Sequence, residues 1–339
     1  MRATHRATIS DVAQRAGVSR QTVSNAINSP DAVRPETRQR VEAAIEELQY
    51  RPNASARRLR TQRPATIAIR VERVSNGISG TVYDTFLHAL TVHAAERDRR
   101  ILLFAAQNVD EEIQQYRSLS YGDDVDAFVI TGTSHDDTRI AWLVRHRIRF
   151  VSFGRPWSLA DLDDPRVPWV DVDGRAGVRA ATEHYLKQGL RNVAWIGWPS
   201  RSGTGDDRRC GWEDAMAAAG VPESQREALS ISAPEGISTG AAALREVQQR
   251  LGANGVDGVV CASDSLALGA HLGCGGTLPI TGFDNTPVAA SQGISSIAQP
   301  IEAVAAKVLD LLEPDGSSAE SNHVLFTPSL VSRSEPELG

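Results

Sequence analysis

The sequence predicts a small all-α unit at the N-terminus, followed by a larger α/β body with two lobes. Residues 8–28 contain two short helical patterns separated by a glycine, and the chain from residue 66 onward alternates apolar strands with longer helical patterns. Charge follows the same division. Residues 1–63 hold twelve arginines, no lysine and six acidic residues, a net charge of +6, which leaves −12 for residues 64–339 of a chain with a formal charge of −6.

The first predicted helix begins at a capping box. The Thr8 hydroxyl can accept from the amide near Asp11, and the Asp11 carboxylate can accept from the amide of Thr8. Gly17 is expected to end the helix, because glycine readily adopts the left-handed backbone conformation. The apolar positions recur every three or four residues and form one buried face: Ile9, Val12, Ala13 and Ala16.

The second predicted helix has an unusual outer face. Ser19 is expected to cap it, and its inner face is apolar: Val23, Ala26 and Ile27. The outer face carries hydrogen-bonding side chains and no acidic residue: Arg20, Gln21, Thr22, Ser24, Asn25 and Asn28. Arginine pairs with guanine, asparagine and glutamine with adenine, and hydroxyls with phosphate, so the pattern is typical of a recognition helix in a DNA major groove. A capped helix pair without a DNA partner is the alternative.

A third helix and a basic segment follow. The helix is predicted at residues 35–50, with Pro35 at its first position and a stripe of apolar residues on one face. Asn53 then caps an arginine-rich segment with so little apolar surface that it needs a partner to fold. A DNA minor groove is one such partner, and a flexible basic linker is the alternative. The side chains expected to enter or flank the groove are Ala56, Arg57 and Leu59.

Residues 8–60 closely resemble the DNA-binding headpiece of the LacI (lactose repressor) family of bacterial transcription regulators. The resemblance rests on the core D-V-A-x-x-A-G-V-S-x-x-T-V-S and on Y-x-P-N-x-x-A-R-x-L, in that order. It implies that Leu59 is the hinge residue that opens the central step of a palindrome. The implied base-reading positions are Arg20, Gln21 and Asn25. The implied phosphate contacts are Ser19, Thr22, Ser24 and Asn28. Arg34 departs from the family pattern, which usually has a serine cap there.

The body is predicted to contain parallel sheets covered by helices. Strands are expected at residues 66–71, 101–105, 127–130, 150–153, 169–172, 193–197, 229–232, 259–261 and 280–283. Helices are expected between them, among others at residues 81–97, 175–188, 208–219, 238–251 and 301–312. This order predicts two doubly wound lobes with a cleft between them, where ligands bind at the carboxyl ends of strands.

The body also resembles the sensor domain of the LacI family, which is similar to periplasmic sugar-binding proteins. Matching stretches include VDAFVITG, CASDSLALGA and ITGFDN. The resemblance implies a first lobe of about residues 64–160 with 296–316, and a second of about 165–292 with 323–336. Residues 1–50 then form the helix-turn-helix domain and residues 51–63 the hinge. The family has a longer segment at residues 269–282, which lies at a subunit interface in many members.

Five body residues match positions that contact the effector in this family. They are Asp173, Arg208, Asp264, Asp284 and, as a weaker match, Gln299. Carboxylates accept from sugar hydroxyls, and arginine donates to ring or hydroxyl oxygens. For Asp173 and Asp264 the alternative is a strand-end aspartate that caps the following helix.

Several other function classes find no support in the sequence. It has no Walker loop, no G-x-G-x-x-G after a strand, no H-E-x-x-H and no G-x-S-x-G elbow, so neither an enzyme nor a cofactor or metal site is expected. Three irregularly spaced cysteines indicate neither a disulfide framework nor a zinc site. A signal-peptide core and a membrane span are absent from the pattern, which favours a cytoplasmic protein.

These patterns together predict a sequence-specific DNA-binding transcription regulator. The expected form is a homodimeric repressor that binds a double-stranded palindromic operator and responds to a small-molecule effector, a sugar by resemblance. A cytoplasmic solute receptor and an enzyme with a DNA-binding headpiece are the alternatives.

Overall fold

The computed structural model describes residues 8–28, 33–48, 66–71, 80–121, 125–252, 255–313 and 321–333. The chain forms two compact units, Met1–Arg63 and Pro64–Gly339. Four residues predicted for the hinge lie outside the described residues: Asn53, Ala56, Arg57 and Leu59. The side chain of Asn28 also lies outside them.

The first unit contains three described helices: α1 (Ile9–Ala16), α2 (Arg20–Asn28) and α3 (Pro35–Glu47). The predicted capping box is present, because the Thr8 amide donates to Asp11 Oδ2 at 2.8 Å and the Asp11 amide donates to Thr8 Oγ1 at 3.4 Å. Gly17 follows α1 with φ 64°, in the left-handed region, as predicted. The helices share one small apolar core: Val12, Ala13, Ala16, Val23, Ala26, Val41 and Ala44.

The first lobe of the second unit has a six-stranded parallel sheet in the order β11-β5-β4-β3-β1-β2. Its strands are β1 (Thr66–Arg70), β2 (Arg100–Phe104), β3 (Ala127–Ile130), β4 (Phe150–Phe153), β5 (Trp169–Val172) and β11 (His323–Phe326). Its helices are α4 (Gly80–Glu96), α5 (Val109–Tyr121), α6 (Arg139–His146) and α13 (Ile301–Leu311). Successive residues of β1 serve opposite faces, because Ile67 and Ile69 pack in the core with α4 and α13, whereas Ala68 packs in the core with α5 and α6.

The second lobe has a six-stranded sheet in the order β12-β10-β9-β8-β6-β7, in which only the β10–β12 pair is antiparallel. Its strands are β6 (Val193–Gly197), β7 (Ser230–Ser232), β8 (Gly258–Cys261), β9 (Ile280–Phe283), β10 (Ser295–Ala298) and β12 (Ser329–Val331). Its helices are α7 (Gly174–Lys187), α8 (Thr204–Ala218), α9 (Glu223–Leu229), α10 (Ile237–Leu251), α11 (Asp264–Gly273) and α12 (Pro287–Ser291). The predicted doubly wound lobes are therefore confirmed.

Helices α10 and α11 pack backbone to backbone through two glycines. A Cβ atom at Gly240 would overlap the carbonyl oxygen of Leu266, and a Cβ atom at Gly269 would overlap the carbonyl oxygen of Ile237. Glycine therefore sets the distance between these helices on both sides of the contact.

The sheets differ from the predicted lobe boundaries at three strands. β5 belongs to the first sheet, because Phe153 of β4 pairs with Val170, and β11 extends that sheet by pairing with β5. β10 belongs to the second sheet, where it pairs with β9. The chain consequently passes between the lobes three times, after β5, after β10 and after β11.

The nine predicted strands form at the expected places, with ends that differ by one residue at most. Helix α8 begins at Thr204, four residues before the predicted start at residue 208. β10, β11 and β12 were not predicted. No helix within the described part of the chain is long and apolar enough to cross a membrane.

Candidate functional site

The outer face of α2 holds the predicted base-reading side chains next to one another. Arg20 and Gln21 are exposed, and the Gln21 amide donates to Asn25 Oδ1 at 3.0 Å. Ser19 caps the helix by accepting from the Thr22 amide at 3.0 Å. Ser24, also predicted to contact phosphate, is half-buried. The face thus presents a guanidinium and two amide side chains, which is the chemistry that base edges require.

A second group of polar side chains lies at the carboxyl ends of the strands in the second lobe. Arg208, on α8, is its centre and is only 6% exposed. Its guanidinium donates to the carbonyl oxygen of Ala262, after β8, at 2.6 Å and lies 3.5 Å from the ring centroid of Phe283 on β9. Burial lowers the pKa of Arg208 from its usual value, and its Nε has no partner among the described residues. Its stem passes Gly174, where a Cβ atom would lie 2.9 Å from Arg208 Cγ.

Asp284 interacts electrostatically with this guanidinium, and Gln299 is hydrogen-bonded to Asp284. Asp284 follows β9 with φ 108°, and the Gln299 amide, after β10, donates to Asp284 Oδ1 at 2.8 Å. Burial raises the pKa of Asp284 to about 7, although the charge of Arg208 opposes the shift. The structure therefore brings together three of the five predicted effector contacts.

Three residues that sequence reasoning missed complete the group. Glu235, after β7, accepts at Oε2 from Trp198 Nε1 at 2.7 Å and from Ser263 Oγ at 2.8 Å. Trp198 follows β6, and the centroid of its ring lies 5.2 Å from the guanidinium of Arg208. The available signal was position, because Trp198, Glu235 and Ser263 all come within three residues of a strand end.

The two lobes contact each other directly at one side of the cleft, and we call this contact the latch. Arg155, after β4, bonds to Asp171 of β5 at 2.9 Å and to Asp207 of α8 at 2.5 Å. The indole of Trp157 in the first lobe packs against Gly203 in the second, so closely that a Cβ atom at Gly203 would overlap the ring. Two more exposed pairs join the lobes: Arg201 with Asp136 at 2.7 Å and His135 with Asp206 at 3.5 Å.

The latch and the polar group meet on α8. Asp207 reaches the first lobe, and its neighbour Arg208 reaches the ends of the strands in the second lobe. A molecule bound by Arg208 would therefore act on the same helical turn that holds the lobes together.

Known regulatory proteins resemble the chain along nearly its whole length. Residues 8–53 match the lacI family of bacterial regulatory proteins, and residues 76–296 match the periplasmic binding proteins and sugar binding domain of the LacI family. The HTH-type transcriptional regulator CelR of Thermobifida fusca is 32% identical over 317 residues, which cover 91% of each chain. The chain belongs to the LacI family.

Solved structures share this architecture. The complex of the transcriptional regulator CelR with cellobiose is 29% identical and has a TM-score of 0.70 over 97% of this chain and 99% of that one. The Lac repressor dimer bound to operator and the anti-inducer ONPF is 21% identical, and its TM-score of 0.78 over 97% and 98% of the chains shows a shared fold. As a LacI-family protein, the chain is a DNA-binding transcription regulator.

The other two predicted effector contacts of this LacI-family protein have partners within the protein. Asp173 caps α7 by accepting from the Ala176 amide at 2.9 Å, which is the alternative that the sequence left open. Asp264 is fully buried, and its carboxylate accepts from the Thr286 amide and from Ser296 Oγ, both at 2.6 Å. Both of its oxygens thus hold the segment after β9 in place, and the effector contact of Asp264 stays a prediction.

No group of three or more His, Cys, Asp or Glu side chains within the described ranges is placed to hold a metal ion. The three cysteines are free thiols, and burial raises the pKa of Cys261 well above its usual value. A buried thiol of this kind is an inert packing group.

Proposed function

We propose that this LacI-family protein is a repressor that binds a palindromic operator as a homodimer and releases or engages it when a sugar binds in the cleft. The observation that carries the proposal is the joint presence of the α2 face and the polar group around Arg208. The α2 face presents side chains that can hydrogen-bond to base edges. The polar group around Arg208 presents donors and acceptors for the hydroxyl groups of a ligand.

The DNA side of the proposal rests on α2. Arg20, Gln21 and Asn25 would read base edges, while Ser19, Thr22, Ser24 and Asn28 would hold phosphates. Asn53, Ala56, Arg57 and Leu59 would form the minor-groove hinge, as the resemblance implies. A dimer with two such helices would match a two-fold symmetric site.

The effector side rests on Arg208, Asp284 and Gln299. Arg208 offers hydrogen-bond donors, Asp284 offers acceptors, and the Gln299 amide, which donates to Asp284, offers both. The CelR structure contains cellobiose, so a sugar is the class of molecule to test first. We propose binding without turnover, and a protein that acts in the cytoplasm on chromosomal DNA.

The proposed mechanism couples the cleft to the hinge through lobe movement. A sugar that binds Arg208 would favour one arrangement of α8 against the first lobe, because Asp207 of the same helix holds Arg155. It can shift operator affinity only by its differential affinity for the two arrangements, about 1 to 3 kcal/mol in typical cases.

Selection of a random duplex library on the purified protein tests this function. The selection is done at moderate salt, alone and with each of a panel of sugars. Enrichment of a palindrome, with enrichment changed by one sugar that is recovered intact, would support the operator, the two-fold symmetry, the sugar response and binding without turnover. Uniform, salt-sensitive binding to all sequences would contradict it.

A further inference from the structure

The charged groups around Arg208 are predominantly acidic. Four carboxylates act electrostatically on its guanidinium: Asp171, Asp207, Glu235 and Asp284. Arg155 is the second cation, and it is already bonded to Asp171 and Asp207. These six described groups carry a net charge of −2 when all four acids are ionised, and of −1 when Asp284, whose pKa is about 7, is protonated.

Three of the helices that follow strands near Arg208, namely α7, α8 and α11, have N-termini that do not favour a bound anion. Phosphate groups commonly bind the free amides at a helix N-terminus. Here Asp173 caps α7, Asp206 and Asp207 lie in the first turn of α8, and Asp264 is the first residue of α11. Each of these N-termini already has a carboxylate of the protein itself, which repels a second anion.

Glu235 holds its charge in a fixed place. Trp198 and Ser263 both donate to Oε2, so the carboxylate cannot turn away from an approaching ligand without losing two hydrogen bonds. Both donors are neutral, so they orient the carboxylate without cancelling its charge. Arg208 Nε, which has no partner among the described residues, remains as a donor for a ligand oxygen.

We propose that this cleft selects an uncharged polyhydroxylated ring, a neutral sugar or glycoside, and rejects sugars that carry a phosphate or a carboxylate, with Glu235 as a specificity-determining residue. The inference rests on the proposed function and adds the ligand class. Hydroxyl groups can both donate to the carboxylates and accept from Arg208, whereas an anion can use only the second contact. The net negative charge of this poorly solvated site would also repel an anionic ligand.

Titration calorimetry on the full-length protein with matched ligand pairs tests the inference. The pairs are glucose, maltose and cellobiose, each beside its 6-phosphate ester. We expect the best neutral sugar to bind at least ~100-fold more tightly than its ester, because like charges brought together in a binding site are strongly unfavourable. Glu235→Gln should reduce this ratio about 10-fold, chiefly through tighter binding of the ester.

Glu246→Gln is the matched control, because Glu246 is an exposed residue of α10 that pairs with Arg250. It should leave the ratio unchanged. An ester that binds as well as its neutral partner, or a ratio that Glu235→Gln leaves unaltered, would overturn the inference while sugar binding itself stands. Absence of binding by both members of every pair would overturn the sugar part of the proposed function, and this inference with it.

Discussion

Asn25 offers a test of base reading at the scale of one residue. Its amide faces outward on α2, next to Gln21. Asn25→Ala should weaken binding to the best operator by about 1 to 3 kcal/mol and relax the preference at one base pair, because a bidentate amide–adenine contact is lost. Competition binding with operators changed at single positions measures both effects. Equal weakening on every sequence would instead indicate a phosphate contact.

Asp284 predicts a dependence of stability on pH. Its pKa of about 7 in the folded chain lies above the ordinary carboxyl value, so the folded state holds this proton more tightly than the unfolded state. Stability from this group is then present at low pH and is lost as pH rises from about 4 through about 7. Asp284→Asn should remove this loss. The free energy of unfolding at pH 8, taken relative to that at pH 5, should therefore rise by on the order of 2 kcal/mol.

Urea unfolding at the two pH values measures the effect. Asp84→Asn, on an exposed acid of α4, is the control and should keep the wild-type difference between the two pH values. If Asp284→Asn also keeps it, the pKa of Asp284 is not raised in the folded protein.

Individual site residues were predictable only in part. Arg208, Asp284 and Gln299 were found because they match a family pattern, whereas Glu235 sits in a stretch that carries no such pattern. The internal partners of Asp264 were not predictable, because Thr286 and Ser296 are 22 and 32 residues away and become neighbours only through the order of β8, β9 and β10. Sequence shows which strand a residue follows but not which groups fold over it.

At the scale of elements, the contact between α10 and α11 predicts a steric effect. Gly269→Ala should destabilise the protein by about 1 to 3 kcal/mol, because the new methyl group forces the helices apart at Ile237. Thermal unfolding measures the loss. Gly80→Ala, at the start of α4 where no described atom lies near the new methyl group, should be close to neutral. Equal losses would mean that the helix contact is not the cause.

The latch predicts an effect on ligand response. Asp207→Asn removes the charge that Arg155 contacts across the cleft but leaves the bond between Arg155 and Asp171. If ligand binding closes the lobes, sugar affinity should fall about 5- to 30-fold, which corresponds to about 1 to 2 kcal/mol of lost closure. Calorimetry measures it. Asp214→Asn, on an exposed ion pair within the second lobe, should change affinity by less than about twofold. If Asp207→Asn leaves sugar affinity unchanged, the latch does not contribute to ligand binding.

Elements with strong patterns were predictable, and weak ones were not. β3 to β6 were placed without error because each is a short run of mostly apolar, buried residues. β10 has the sequence SSIA, and β12 has only three residues, so neither has a pattern that distinguishes it from a loop. Their pairing with β9 and with each other, not their composition, makes them strands.

At the scale of the whole molecule, the division of charge predicts how salt acts. The basic N-terminal unit meets phosphate, and the acidic body binds an uncharged ligand under the proposal above. Operator affinity should fall about a thousandfold or more between about 50 and about 200 mM salt if roughly six or more phosphates are neutralised. Sugar affinity should change less than about twofold over the same range. Fluorescence anisotropy measures operator affinity, and calorimetry measures sugar affinity. If both affinities fell equally with salt concentration, the assignment of the two sites would be contradicted.

The division into a helical unit and an α/β body was predictable because helical and strand periods differ. The lobe assignment of β5, β10 and β11 was not, since it depends on which edge each strand joins. The sequence pattern of a strand near a crossing between the lobes does not show which of the two sheets the strand joins.

The three crossings between the lobes also constrain how the chain is made. The first lobe takes α13 and β11 from the far end of the sequence, and the buried Val304 and Val308 of α13 complete the core over Ile67 and Ile69. The ribosome delivers those residues only after all of the second lobe except β12 has been synthesised. The part of this face that α13 covers, beside α4, is therefore exposed through most of translation, and a chain terminated before residue 323 lacks a strand in each sheet.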